Sequence, residues 1–288
     1  MKNLTVNNFT FEWGMRTYVM GVLNITPDSF SGDGLAERDL EVILRQARDF
    51  VDAGVDILDV GGESTRPGAA AVSAQEELDR VLPVIQSLAE EFDTLISIDT
   101  YKSTVAQEAI KAGASILNDV WGLMVDPLLG EVAKEAAAPL ILMHNRSNPN
   151  NAAIKEKLGG RYIGVEYDNL LEDVKSELLE SVALAHRAGV PDHQIILDPG
   201  IGFGKTVEQN LELVNRLNEI RDLGYPVLLG PSRKSFIGYT LDLPPDERVE
   251  GTAAAVSVGI TRGADIVRVH DVREMIRTVR MTDAIIRK

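Results

Sequence analysis

Cysteine is absent from the 288 residues, which excludes disulfide frameworks, thiolate–zinc sites and thiol nucleophiles together. Basic charge is scarce as well. Lys and Arg number 29 against 44 Asp and Glu, giving a formal charge of −15 and a pI near 4.7. Attraction to phosphate backbones or anionic lipid needs basic surface, so neither nucleic acid nor a membrane is expected as a partner. No apolar run approaches the roughly 20 residues that span a bilayer, and the opening Met1–Trp13 has no apolar core of a signal peptide. A soluble, cytoplasmic protein is expected. The 44% hydrophobic and 25% charged residues exclude a disordered chain.

What is present is an alternation. Short runs rich in Ile, Leu and Val occur at Tyr18–Leu23, Asp56–Val60, Leu95–Ile98, Ser115–Leu117, Leu140–Met143, Ile195–Leu197, Val227–Leu229 and Ile266–Val269. Few polar residues interrupt them, as expected of strands buried on both faces of a parallel sheet. Between them lie stretches of helical period such as Arg38–Asp52, Ala74–Glu91, Tyr167–Arg187 and Thr206–Leu223. Gly54, Gly113 and Gly263, with Gly189 and Gly224, stand where a helix should stop before the next strand, which a left-handed helix cap explains without any function. Eight β-then-α units predict an α/β protein of one domain, residues 1–288, built as a (β/α)8 TIM barrel. A doubly wound open sheet is the main alternative before motifs are weighed. No linker divides the chain. Asn148–Gly160 and Pro244-Pro245 read as loops, and Thr5–Trp13, ahead of the first barrel strand, as a small hairpin or plug across the barrel bottom.

In a parallel barrel chemistry collects at the carboxyl ends of the strands. Those ends carry Asn24, Glu63 to Arg66, Asp99, Asn118, His144, Asp198, Ser232 to Lys234, and Arg268 with His270. Helix capping accounts for some Asp and Asn at such places, but less readily for a full ring of them. The run Gly200 to Thr206 resembles a phosphate loop by eye, yet Pro199 stands where the first Walker glycine belongs and Lys205 where the third dinucleotide glycine belongs. The four histidines make neither an HxH pair after the first strand nor an HExxH, and His186 and His193 read as solvated. Arg66, Lys234, Arg268 and His270 gather cationic groups at one mouth of an acidic barrel, which suits an anionic substrate part such as a phosphate. Asp99, Asn118 and Asp198 offer acceptors and an amide for a flat, NH-rich heterocycle.

These motifs match a family. Gly21 to Ser31, Asp59 to Gly68, Ser97 to Thr100, Leu117 to Asp119, Asp198 to Thr206, Ser232 to Gly238 and Arg268 to Val272 together resemble the dihydropteroate synthases, the sulfonamide-targeted transferases of folate biosynthesis. The resemblance runs in order from residue 21 to 272. It implies condensation of 6-hydroxymethyl-7,8-dihydropterin diphosphate with p-aminobenzoate, giving 7,8-dihydropteroate and pyrophosphate, with Mg²⁺ required and a homodimer expected. By position it implies that Asp99, Asn118, Asp198 and Lys234 bind the pterin and that Asn24 is the Mg²⁺ ligand. Arg268 and His270 would grip the diphosphate, while Thr65, Arg66, Pro67, Phe203 and Ser235 would form the p-aminobenzoate side. Asp99, Lys234, Arg268 and His270 are the groups expected to act in catalysis. One departure is visible: the family's first loop commonly continues Ser-Asp-Gly-Gly, whereas this chain reads Ser31-Gly32-Asp33-Gly34, so Asp33 is expected to substitute for the shifted acid. The loop from His144 to Asn148 receives no role. A pterin-dependent methyltransferase and a non-catalytic pterin-binding paralogue are the rival readings; neither would need the Asn24–Phe30 and Ser64–Gly68 segments intact.

Overall fold

The computed structural model describes residues 1–25, 37–64, 71–148, 151–155, 157–163 and 166–287. The apolar runs become eight parallel strands, β3 (Tyr18–Asn24), β4 (Ile57–Gly61), β5 (Leu95–Asp99), β6 (Ile116–Asp119), β7 (Leu140–Met143), β10 (Ile195–Asp198), β11 (Leu228–Leu229) and β12 (Ile266–Val269). They follow one another in the order β10-β7-β6-β5-β4-β3-β12-β11. A parallel bridge between Leu197 and Val227 joins the two ends, so the sheet closes as a barrel and the open-sheet alternative falls.

The barrel strands are covered by α1 (Glu37–Ala53), α2 (Ala74–Glu91), α3 (Ser103–Ala112), α4 (Leu129–Glu135), α5 (Leu170–Ala188), α6 (Val207–Asn215), α7 (Leu217–Arg221), α8 (Ser235–Leu241), α9 (Val249–Thr261) and α10 (Val272–Ile286). The five glycines expected to end helices all have positive φ, between 92° and 122°, a region that residues with a Cβ avoid. The aspartate two residues after Gly54 and Gly263 then ties neighbouring strands. Asp56 Oδ2 accepts from Val19 N at 2.8 Å, and Asp265 Oδ2 from Val227 N at 2.9 Å. Thr206–Leu223, read as one helix, breaks at Arg216 into α6 and α7. Pro244-Pro245 leads into a single 3₁₀ turn, Pro245–Glu247. The segment Asn148–Gly160 is not a plain loop: β8 (Ala152–Lys155) and β9 (Gly159–Tyr162) pair antiparallel there.

Two apolar cores divide the strands by parity, because successive side chains point to opposite sides. Leu58, Val60, Ile96, Ile98, Leu117, Leu140, Leu142, Leu197, Leu229, Val267 and Val269 face outward under the helices. Met20, Ile57, Leu95, Ile116, Ile141, Ile196, Leu228 and Ile266 face the barrel axis and form a separate core. That inner core is sealed by the expected N-terminal hairpin, β1 (Leu4–Val6) paired with β2 (Phe9–Phe11). Phe11 stacks on Trp13 at 5.0 Å and meets Tyr18 edge-on at 4.8 Å, an aromatic arrangement that adds to plain area burial.

Candidate functional site

Two residues further along, the same inward parity delivers a different kind of side chain on most of the strands, Val22 of β3 and Met143 of β7 staying apolar. Above Ile57, Leu95, Ile116, Ile196, Leu228 and Ile266 stand Asp59, Ser97, Asn118, Asp198, Gly230 and Arg268, with Asp99 and Asn24 one step higher on β5 and β3. The strand ends thus bring Asp99, Asn118, Asp198 and Arg268 to one mouth, and Lys234 arrives from the segment after β11. Gly230 leaves room there: a Cβ on it would lie 3.7 Å from Lys234 Nζ and 3.8 Å from Arg268 Cβ.

Arg268 organises one half of the mouth. Its Nε donates to Asp59 Oδ2 at 2.6 Å and its Nη2 to Asp99 Oδ2 at 2.5 Å. Asn118 Nδ2 donates to the same Asp59 oxygen at 3.3 Å. The mouth is therefore less cationic than the sequence alone suggested, because Asp59, fully buried in the middle of β4, holds Arg268 jointly with Asp99. Burial pushes the Asp99 carboxyl up to about 7, and the neighbouring Arg268 only partly offsets this. Bonds to Asp59 and Asp99 outweigh the burial of Arg268 and keep its guanidinium protonated.

Lys234 and Asp198 organise the other half. Burial lowers the Lys234 ammonium to about 8 against the pull of Asp198, and raises the Asp198 carboxyl against Lys234 and the Gly200 N–H. Asp198 Oδ1 accepts from Gly200 N at 2.7 Å. Lys234 Nζ donates to the Ile201 carbonyl and lies 4.7 Å from the centre of the Phe203 ring. Ser235 opens α8 immediately afterwards. His270, just past β12, is bound through its Nδ1 and its backbone N–H to Ser232 Oγ, each at 3.1 Å, which seats it beside Lys234's own segment. Carboxyls raised and an ammonium lowered by burial, gathered at the strand ends, make this mouth the candidate functional site.

Asn24 ends β3 with an exposed side chain opposite Gly61. It suits Mg²⁺ in kind: Mg²⁺ takes hard oxygen donors and commonly only one or two from protein when phosphates supply the rest. No group of three or more His, Asp or Glu that could hold a metal occurs among the described residues. Thr65, Arg66 and Pro67, with Phe30 and Asp33, lie outside the described residues. On the described residues just before 65, Arg80 Nη1 donates to Gly62 O at 2.7 Å, and Lys102 bridges Glu63 and Glu77 at 2.5 Å each.

Sequence reasoning missed Asp59 as a site member, although a lone acid at inward parity within Ile57-Leu58-Asp59-Val60 was the available signal. It also gave no role to His144 or Lys205, which are buried behind the Gly200–Gly204 turn. No helix among the described residues is long and apolar enough to cross a membrane.

The comparisons with known proteins agree with this geometry. The model of the family described as pterin binding enzyme matches residues 20–270. A dihydropteroate synthase of Clostridium beijerinckii is 50% identical over 99% of this chain and all of its own length. One from Bacillus subtilis is 52% identical over 95% of this chain and 90% of its own. The crystal structure of a Clostridium difficile dihydropteroate synthase in the presence of pteroic acid superposes with a TM-score of 0.87 at 49% identity, covering 96% of this chain and all of that one. With the barrel, the polar inner layer and these full-length likenesses in agreement, the chain belongs to the pterin-binding enzyme family, in its dihydropteroate synthase branch.

Proposed function

We propose that this site joins 6-hydroxymethyl-7,8-dihydropterin diphosphate to p-aminobenzoate and releases pyrophosphate. The observation that carries the reading is the inward polar layer itself, in which Asp59, Asp99, Asn118, Asp198, Lys234 and Arg268 crown an otherwise apolar barrel interior. In this reading Asp198 and Asn118 read the NH-rich edge of the pterin, and Lys234 meets its carbonyl. A carboxylate faces ring N–H donors and an ammonium faces a ring acceptor, so the wrong heterocycle leaves a buried charge unmet. In its ionised form, paired with Arg268, Asp99 provides negative charge beside the methylene carbon as the leaving oxygen departs. Arg268, already oriented by Asp59 and Asp99, and His270, seated on Ser232, receive the diphosphate. Mg²⁺ held by Asn24 and the diphosphate would neutralise charge on the leaving group when bound. The p-aminobenzoate side is assigned to Phe203 and Ser235 with Thr65, Arg66 and Pro67. The arylamine is neutral at pH 7 and needs positioning more than deprotonation, which agrees with a site built without a dedicated strong base.

A homodimer is part of the same proposal. Val258 on α9 and Met281, Ile285 and Ile286 on α10 expose apolar side chains on one adjoining pair of helices, the kind of patch that marks association surfaces. Sedimentation of the protein should then give twice the chain mass, and Met281→Glu should shift it to the monomer. The function itself is tested by following pyrophosphate. Release that requires p-aminobenzoate and Mg²⁺ is expected. Tight pterin binding with no release would make the chain a binding paralogue instead.

A further inference from the structure

The turn Gly200–Gly204, which carries Phe203, is held from behind by a buried ammonium. Gly200, Gly202 and Gly204 all have positive φ, at 69°, 86° and 62°. A Cβ on Gly200 would lie 1.8 Å from the His144 carbonyl oxygen, and one on Gly204 2.3 Å from the Arg146 carbonyl carbon. The turn is thus pressed onto the chain after β7 with no side chain between. Directly under it, Lys205 is 2% exposed. Its Nζ donates to Gly200 O at 2.9 Å and to Phe203 O at 3.0 Å, and lies 2.9 Å from His144 Nδ1.

The Glu177 Oε2 oxygen, 3.1 Å from His144 Nε2, favours the tautomer protonated at that nitrogen. Nδ1 then accepts, and the three contacts of Lys205 Nζ are those of a protonated lysine. Arg146 Nε donates to the other Glu177 oxygen at 2.8 Å. From the barrel side Lys234 takes the Ile201 carbonyl, and Asn210 Oδ1 takes Gly202 N at 2.6 Å. Two ammoniums therefore hold three of the turn's carbonyls, while Tyr167 Oη donates to that of Gly204 at 3.0 Å. Lys205 takes those of Gly200 and Phe203 from below, and Lys234 takes that of Ile201 from above.

We propose that Lys205 is a positioning residue for the arylamine half of the reaction, fixing the Gly200–Gly204 turn so that the Phe203 ring and the Ile201 carbonyl meet Lys234 in register. Lys205 touches no substrate. It acts through the two carbonyls that it holds, with the His144 ring behind it and Glu177 of α5 3.1 Å from that ring. The link to p-aminobenzoate rests on the proposed seat of Phe203; the hold on the turn does not.

The full-length Lys205→Met protein tests both parts. Hydrogen–deuterium exchange of a peptide spanning 199–206 should rise at least about tenfold while the barrel strands keep their protection. Unchanged exchange there overturns the proposal. In kinetics, KM for p-aminobenzoate should rise roughly tenfold or more, while the Kd for 6-hydroxymethylpterin moves by less than about threefold. Equal losses for both ligands also overturn it. In a Phe203→Ala background the Lys205 substitution should add less than about twofold to that KM, because both act through one ring; fully multiplying effects would show Lys205 acting elsewhere. If Phe203→Ala alone leaves KM for p-aminobenzoate unchanged, the seat of the arylamine is wrong, and the exchange result by itself decides the hold on the turn. Should the Met variant fail to fold, Lys205→Gln keeps two donors and is expected to show smaller changes of the same kind; wild-type exchange and kinetics in it would count against the proposal.

Discussion

The lower and upper layers of the barrel interior are made by the same strands, two residues apart, and they are opposites. Below, Met20, Ile57, Leu95, Ile116, Ile141, Ile196, Leu228 and Ile266 pack with Phe11 and Tyr18 into a closed apolar core. Above, Asp59, Asn118 and Asp198 are buried and Asp99 and Arg268 partly open, with a carboxyl raised to about 7 at Asp99 and an ammonium lowered to about 8 at Lys234. Transfer from water favours the lower layer and opposes the upper one. The fold therefore draws its stability from one end of each strand and holds, at the other end, charges that only pairing makes tolerable. A ligand that satisfies those charges gains what folding left unsatisfied.

The largest effect that would break this comparison is expected at the bottom. Phe11 is fully buried between Trp13 and Tyr18, and Phe11→Ala should lower unfolding free energy by roughly 3–5 kcal/mol. Denaturant titration measures the loss. The KM values of the protein that remains folded should be those of the wild type; a raised KM for either substrate would mean that the two ends are not separable.

The second test is one of pH at the rear of the site. Burial, aided by the charge of Lys205, lowers His144 from 6.5 to about 4. Between those values the unfolded chain takes up a proton that the folded one refuses, so this histidine's contribution to stability is present above pH 6.5 and is lost as pH falls toward 4. The full loss is on the order of 3 kcal/mol. Burial raises Glu177 but its bonds to His144 and Arg146 prevail and hold it at about 2, so its loss has the same sign and continues below pH 4.5. Asp99 and Asp119, raised by burial to about 7 and about 6, run the other way: folding takes up protons there, and stability gains as pH falls from 7. The informative quantity is thus the difference in unfolding free energy between wild type and His144→Asn at pH 7.5 and at pH 5. The variant should lose less on acidification, and parallel curves would remove His144 from the account.

The division between layers also explains what could be read without coordinates. The strands were legible because burial on both faces leaves unbroken Ile, Leu and Val, and α2 was legible to the residue because Ser73 caps a long amphipathic run. The hairpin of β8 and β9 was not, since Ala152 to Lys155 and Gly159 to Tyr162 show no alternation. Its place is fixed by distant groups: Arg248 Nη2 donates to Leu158 O at 2.9 Å and Tyr239 Oη to Gly159 O at 3.3 Å. At the site, strand-end position revealed Asp99, Asn118, Asp198 and Arg268. Partnership was hidden, because pairing of Arg268 with Asp59 joins residues 209 apart in sequence. Lys205 was hidden for a related reason: a lysine after a glycine turn reads as solvated until the turn folds over it.

In the upper layer, Arg268→Lys is the next test. A guanidinium spans Asp59 and Asp99 together, whereas an ammonium is a point donor. The substitution should cost about 1.5–3 kcal/mol, the worth of a hydrogen bond to a charged group. This should appear as roughly ten- to a hundredfold weaker pyrophosphate binding by calorimetry and a comparable fall in turnover. Unchanged pyrophosphate affinity with an earlier unfolding midpoint would make Arg268 a structural counter-charge for Asp59 and Asp99 and nothing more.

The smallest effect lies one residue from Lys205 and sharpens the comparison most. Thr206 begins α6 with a capping box: its Oγ1 accepts from Gln209 N at 3.3 Å, and Gln209 Oε1 accepts from Thr206 N at 2.8 Å. Those bonds satisfy backbone donors at a helix start and reach neither the turn's carbonyls nor Lys234. Thr206→Ala should therefore cost about 1 kcal/mol of stability, the usual worth of such a cap. It should leave the KM for p-aminobenzoate and the exchange of residues 200–204 as they are. Neighbours in sequence would then differ in kind, Thr206 supporting the helix and Lys205 the turn over which the reaction is proposed to run. A rise in that KM for Thr206→Ala comparable to the one expected for Lys205→Met would show that the turn responds to any loosening of α6, and the buried ammonium would lose its special place.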